Sequence, residues 1–430
     1  DYGTLEDMQR LIDEAHQRGI AVIIDMVVNH SSSRHPWFMS SRLGEDPYTD
    51  WYIWEDDDPD YAGPWGDIAW HKAGNRYYYG VFWDGMPDFN YRNADMTQAM
   101  YDVATFWLSD VGVDGFRLDA IKHIIENGDI QENTPESRQW LTAYEAHLES
   151  IKPNSFTVGE IFNGASFIVA RYVEEEAIDT GFDFNLSEKM ITAAQRGSNK
   201  DIARAHRNAM RDYPTNQFAT FLTNHDQNRL ANQLLEDINA NKVAASLLLT
   251  GPGVPFMYYG EEIGMTGTKP DERIRTPMQW DDSELGGFTT GDRVWEALQP
   301  AENVAIANVA SQTDDTDSLL SHYREMIHLR NANPALRHGG LTAVDSSMRG
   351  VYAFLRHSEE QTVLVIINLS DDAITDYALT LEESELDLSV ARLVYGAGDV
   401  VSPQLNVSGG FDAYMPLATI PPYTTVVIEF

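Results

Sequence analysis

Short apolar runs rich in β-branched and aromatic residues recur along the first 260 residues, and helical patterns fill the stretches between them. The runs are IAVIIDMVV (20–28), VDGFRLD (113–119), SFTVGEI (155–161), GFDFN (181–185), FATFLT (218–223) and VPFMYY (254–259). Helices are expected near 4–18, 95–110, 135–151, 165–177, 198–212, 228–249 and 317–332, several of them with apolar residues at three-to-four spacing. Strand and helix in alternation predict the α/β class, a parallel sheet covered by helices, because a parallel neighbour needs a crossover long enough to hold a helix. At 430 residues, 43% apolar and 11% aromatic, the chain can bury a large core and suggests two or three domains.

Two segments break the rhythm. Residues 31–94 are polar and aromatic-rich, too long for an ordinary loop after a strand, and are expected to form a small inserted subdomain. From about residue 337 the pattern changes to short β-type runs such as GVYAFLRH, TVLVIINLS and TTVVIEF separated by turn residues, which predicts an antiparallel β domain. The expected domains are therefore 1–30 with 95–335, the insertion 31–94, and a C-terminal β-sandwich over 336–430.

Charge and composition exclude several classes. Against 30 Lys and Arg stand 67 Asp and Glu, a net charge of −37. That rules against nucleic acid, whose phosphate backbone needs a basic patch. The same excess suggests adaptation to high salt, where screening relieves repulsion between surface carboxylates. Cys is absent, so disulfides and thiolate-bound metals are excluded and any metal must use oxygen or nitrogen. The most apolar long stretch, VAASLLLTGPGVPFMYY (243–259), is interrupted by Gly-Pro-Gly, so no membrane insertion is expected. No G-x-S-x-G, H-E-x-x-H, G-x-G-x-x-G or P-loop pattern occurs.

Chemistry concentrates where the runs end. In GFRLDAIKH (115–123), strand alternation puts Arg117 and Asp119 on one face and Phe116 and Leu118 on the other. Asn29 and His30, Glu160, and His225 with Asp226 occupy the equivalent C-terminal ends of other runs. In a closed parallel barrel those ends share one rim, so residues distant in sequence are expected to converge there.

DMVVNH (25–30), GFRLDAIKH (115–123), VGEIF (158–162) and FLTNHD (221–226) resemble, in order, the four signature segments of the α-amylase family, glycoside hydrolase family 13, and MPDFN (86–90) resembles its fifth. The resemblance implies a (β/α)8-type barrel with a subdomain inserted after the third strand and a C-terminal β domain. On that reading the chain opens at the approach to the third strand, so the first two strand units, and any signal peptide, are expected to be missing from it.

The resemblance also implies roles. Asp119 matches the nucleophile, Glu160 the general acid/base and Asp226 the third carboxylate of a retaining glycosidase, with Arg117, His30 and His225 around the cleaved sugar. Such chemistry needs one carboxylate to form a glycosyl ester and a second, initially protonated, to release the leaving sugar. Arg117 is expected to keep Asp119 ionised, with Glu160 in a less solvated place. Lys122 and His123 match residues on the leaving-group side, and the His123 carbonyl with Asn29 and Asp88 matches a Ca²⁺ site, whose hard oxygen ligands would pin the insertion to the rim. No organic cofactor is implied.

For substrate the resemblance divides. GPGVPFMYYGEEIG (251–264) and RTPMQWDD (275–282) look like the oligo-1,6-glucosidase and α-glucosidase branch, in which Arg275 would grip a terminal glucose, whereas the Lys-His pair looks like true amylases. The expectation is hydrolysis of α-1,4 bonds in starch-like glucans. Alternatives are an exo-acting α-glucosidase or oligo-1,6-glucosidase, or a transglycosylase or isomerase of the same family. Trp51, Trp54, Trp65, Trp70, Tyr78 and Trp83 suit stacking on pyranose rings, although most are expected in the insertion's own core. A starch-degrading role favours a secreted or periplasmic location over a cytoplasmic one, and oligomeric state is left open.

Overall fold

The structure, a computed structural model, describes residues 3–162, 164–298 and 300–430. Two compact units divide it, Asp1–Gly164 with Ile168–Phe182, and Ala165–Phe167 with Asp183–Phe430.

In the first unit a four-stranded parallel sheet runs in the order Ile23–Met26, Gly115–Leu118, Phe156–Gly159, Thr180–Gly181. Its register sets Asp25 beside Arg117 and Arg117 beside Val158. Gly115 permits this closeness, since a Cβ there would lie 1.9 Å from the Phe156 carbonyl oxygen. Ladder hydrogen bonds continue one residue past the strands: Asp119 N–H donates to Met26 O at 3.1 Å, Glu160 N–H to Leu118 O at 2.9 Å, and Phe182 N–H to Gly159 O at 3.1 Å. Asp119 and Glu160 are thus the first residues beyond adjacent strands, held on their main chains before any side-chain contact is made.

The connecting helices begin where the sequence supplies caps. Thr4 and Asp7 form a reciprocal capping box at Leu5–His16, Asn93 caps Ala94–Thr105, and Thr134 caps Pro135–Ile151, which starts on a proline. The insertion carries a three-stranded sheet, Trp54–Glu55, Arg76–Tyr79 and Trp70–Ala73, over a small core of Ala69, Trp70, Tyr79 and Val81. Trp51, Trp70 and Tyr78 are buried, Trp54 is half-buried, and Trp65 and Trp83 are exposed.

In the second unit Ala219–Thr220 and Val254–Pro255 pair in parallel. Its C-terminal part is a seven-stranded antiparallel sheet. Gly340–Ser346 belongs to both leaves, pairing with Val351–His357 along one stretch and with Leu379–Glu383 along the other. Val351, Leu364, Ile366, Val426 and Ile428 of one leaf pack with Leu379, Leu381, Phe411 and Tyr414 of the other in one core, the layered arrangement expected of a sandwich. Among the described residues no helix is long and apolar enough to cross a membrane.

Four elements differ from expectation. FATFLT and VPFMYY are strands only over Ala219–Thr220 and Val254–Pro255. GFDFN is a strand only through Thr180–Gly181, because the Asp183 carboxylate accepts from Leu186 N–H at 2.8 Å and caps a helix, Phe184–Arg196. The expected helix at 228–249 is two, Leu230–Gln233 and Ile238–Thr250. Leu235 and Glu236 between them take left-handed backbone, and Asp237 caps the second helix.

Candidate active site

The centre of the first unit's site is Arg117. Its Nη1 donates to Asp25 at 2.8 and 2.9 Å and to Asp119 Oδ1 at 2.5 Å, and its Nη2 lies 2.8 Å from Glu160 Oε2. Side-chain exposure is 12% for Arg117, 11% for Glu160 and 21% for Asp119, against 52% for Asp25. Burial works against the guanidinium's charge, yet Glu160, Asp119 and Asp25 outweigh it and hold the arginine above its usual range. One planar fork thus binds three carboxylates, Asp25 and Glu160 as well as Asp119. Asp25 was not singled out from the sequence. The register of the Ile23–Met26 and Gly115–Leu118 strands is what brings it in.

His30 follows the first strand and pairs in an isolated bridge with Asp88. Burial lowers its basicity and the Asp119 charge opposes that, which places its imidazole within the field of the candidate nucleophile. Lys122 and His123 sit on a short turn, Ile121–His123, that begins with left-handed Ala120. Both are buried. Lys122 Nζ is 2.7 Å from Glu132 Oε2, and His123 Nδ1 is 2.9 Å from Gln131 O. The His123 ring packs edge-on against Trp65 and Phe82, and burial lowers its pKa to about 4.

Asn29 and Asp88, distant in sequence, meet. Asn29 Nδ2 donates to Asp88 Oδ2 at 3.0 Å and Val81 N–H to Asp88 Oδ1 at 3.2 Å. Burial pushes the Asp88 carboxyl well above its ordinary range, with those two hydrogen bonds opposing. Asn29 Oδ1 is buried without a hydrogen-bond partner, so an acceptor and a carboxylate stand together in an environment that a cation would satisfy. Among the described residues no group of three or more His, Asp or Glu side chains is placed to hold a metal ion.

The second unit holds His225, Asp226 and Arg275. Arg275 Nη2 donates to Asp226 Oδ1 at 2.6 Å and to Asp271 Oδ2 at 3.1 Å, and Arg275 Nε donates to His225 O at 2.8 Å. His225 Nε2 lies 3.4 Å from Asp226 Oδ2. These side chains are open to solvent, Asp226 by 44% and Arg275 by 37%. Lys269 and then Arg275 hold the Asp271 carboxyl below its usual range. Asp271 follows a Lys-Pro pair, and no signal in its own neighbourhood marks it.

A profile for the alpha amylase catalytic domain matches residues 1–339. The chain is similar to alpha-amylase 3 of Dictyoglomus thermophilum, 35% identical over 376 residues that span 86% of this chain and 72% of the relative. It is 30% identical over 453 residues to the oligo-1,6-glucosidase of Heyndrickxia coagulans, covering 87% of this chain and 80% of that one. Among solved structures, the alpha-amylase from H. orenii superposes with a TM-score of 0.82 at 36% identity, over 100% of this chain and 84% of that one.

Proposed function

The chain belongs to the α-amylase family of glycosidases, and from that premise we propose that it hydrolyses α-1,4-glucosidic bonds of starch-like glucans and maltooligosaccharides through a glycosyl-enzyme intermediate. The observation that carries the reading is the single Arg117 fork bonded to both Asp119 and Glu160 on adjacent strand ends. Retaining hydrolysis requires two carboxylates in fixed relation, one to attack the anomeric carbon and one to give and then take a proton. Asp119 is the nucleophile: its carboxylate forms the ester as the C–O bond to the leaving sugar breaks. Glu160 donates its proton to the departing oxygen and then removes one from the water that cleaves the ester. Asp226 is the third carboxylate, binding sugar hydroxyls with His225, and His30 donates a hydrogen bond to the sugar. Lys122 and His123 belong to the leaving-group side of the same reading.

A bound Ca²⁺ would be held by Asn29 Oδ1, which lacks a hydrogen-bond partner, and by the buried Asp88 carboxylate, and the resemblance would add the His123 carbonyl as a further oxygen ligand. Its part would be structural, tying the MPDFN segment to the residues after the first strand.

A second reading, an exo-acting α-glucosidase or oligo-1,6-glucosidase, is favoured by one observation, the Arg275–Asp226 pair at 2.6 Å, in which a guanidinium and a carboxylate together present a fork to a terminal glucose. Product profiles on soluble starch, maltotriose and isomaltose, with blocked maltooligosaccharides, separate the two. Internal cleavage of blocked chains is the expected result, and glucose as sole product with no attack on blocked ends would favour the second. Asp119→Asn should lower kcat by several orders of magnitude. A variant that kept most of its activity would remove Asp119 from the nucleophile's role.

A further inference from the structure

The exposed Arg275–Asp226 pair has little rigidity of its own, because an ion pair open to water contributes little and leaves its side chains mobile. Behind it lies a segment, Tyr258 to Glu261, that bonds to the chain on both sides of the pair. Glu261 is 4% exposed. Its Oε1 accepts from the Tyr323 hydroxyl at 2.9 Å and its Oε2 from the Thr223 hydroxyl at 3.1 Å, so it grips the loop that leads directly into His225 and Asp226. The Tyr258 hydroxyl donates to Ile274 O at 2.9 Å and the Tyr259 hydroxyl to Thr276 O at 2.6 Å. Those carbonyls flank Arg275 in sequence, so the two tyrosines hold its main chain from either side. Arg229, 2% exposed, locks the tyrosines in turn: its guanidinium stands 4.8 Å from each ring centroid and Nη1 donates to Tyr259 O at 2.7 Å.

We propose that Tyr258, Tyr259 and Glu261 are positioning residues of the reaction, which fix the Arg275–Asp226 pair through main-chain and loop contacts before a sugar arrives. The inference rests on reading Asp226 as the third carboxylate and adds what holds it. Preorganisation of this kind lowers the barrier because the groups need no reordering as the transition state forms.

The test is a double-mutant cycle in steady-state kinetics on a maltooligosaccharide, using the whole chain. Tyr259→Phe removes one hydroxyl and should lower kcat/KM about fivefold, the weight of one hydrogen bond, with the melting temperature close to that of the parent. In an Arg275→Ala background the same substitution should have no further effect, since its target is gone. Tyr258→Phe should behave alike, and Glu261→Gln should recover most of the activity lost in Glu261→Ala. Equal losses in both backgrounds would overturn the proposal, as would full activity of Tyr259→Phe while Arg275→Ala is impaired. If Arg275→Ala and Asp226→Asn both turn over at the parent rate, the reading of the third carboxylate falls and the brace falls with it.

Discussion

Arg117 bonds its three carboxylates from donors fixed in one rigid plane, a geometry that lysine's donors, radiating from a point, do not reproduce. Arg117→Lys would retain the charge but leave at least one of Asp119 and Glu160 without its bond, in a place where Glu160 is nearly enclosed and Asp119 half-buried. We expect kcat to fall at least a hundredfold and the melting temperature to drop together with it, both read on the purified variant. A variant with parent kinetics would show that charge alone suffices. A second buried carboxyl gives a prediction of opposite sign. Glu145 accepts from the Thr157 hydroxyl at 2.9 Å, its other oxygen has no partner, and burial, followed by the nearby Asp179 charge, pushes it up to about 8 from 4.5. The folded chain therefore keeps a proton that the unfolded chain releases near pH 4.5, and stability falls as pH rises from about 4.5 to about 8. Glu145→Gln, which preserves the shape, should melt several degrees above the parent at pH 8.5 and level with it near pH 4.5. A gap that stayed constant across that range would refute the titration.

At the scale of elements, the strand ends were legible and the partners of what they carry were not. Asp119 and Glu160 could be placed because the VDGFRLD and SFTVGEI runs end within two residues of their strands, at Leu118 and Gly159, whereas FATFLT and VPFMYY run past the ends of theirs, at Thr220 and Pro255. Asp25 could not, since its meeting with Arg117 depends on which strands are neighbours and in what register. GFDFN departs from the expected strand because its apolar alternation also suits the start of a helix once Asp183 supplies a cap. Glu261 and Glu262 are indistinguishable in GEEIG, yet only the first bonds Thr223 and Tyr323. The MPDFN segment shows the value of a resemblance: nothing local in it foretells the antiparallel bridge between Asp88 and His30 or the meeting with Asn29. If that meeting is a calcium site, the element should loosen without the ion. Treatment with EGTA should lower the melting temperature by several degrees, and added Ca²⁺ should restore it, while Asn29→Ala should melt at one temperature in either condition. A parent chain indifferent to EGTA would leave Asn29 and Asp88 as a hydrogen-bonded pair only.

For the molecule as a whole the governing quantity is the charge of −37. Even if each of the 30 Lys and Arg paired with a separate carboxylate, 37 acids would remain without a cation, and pairs such as Arg10–Asp7 and Arg18–Glu14 are themselves exposed and weak. Repulsion among the remainder acts over a screening length of roughly 30 Å at 0.01 M salt and about 3 Å at 1 M. Compact folding gathers these charges, so the folded state gains more from screening than the expanded chain does. The melting temperature should therefore climb steeply between 0.01 and about 0.3 M KCl and flatten above it, once the screening length is shorter than the spacing between neighbouring acids. A curve that is flat throughout would sink adaptation to salt. One that keeps rising linearly to several molar would instead point to exclusion of salt from the apolar surface, which potassium sulfate strengthens far more than the chloride does.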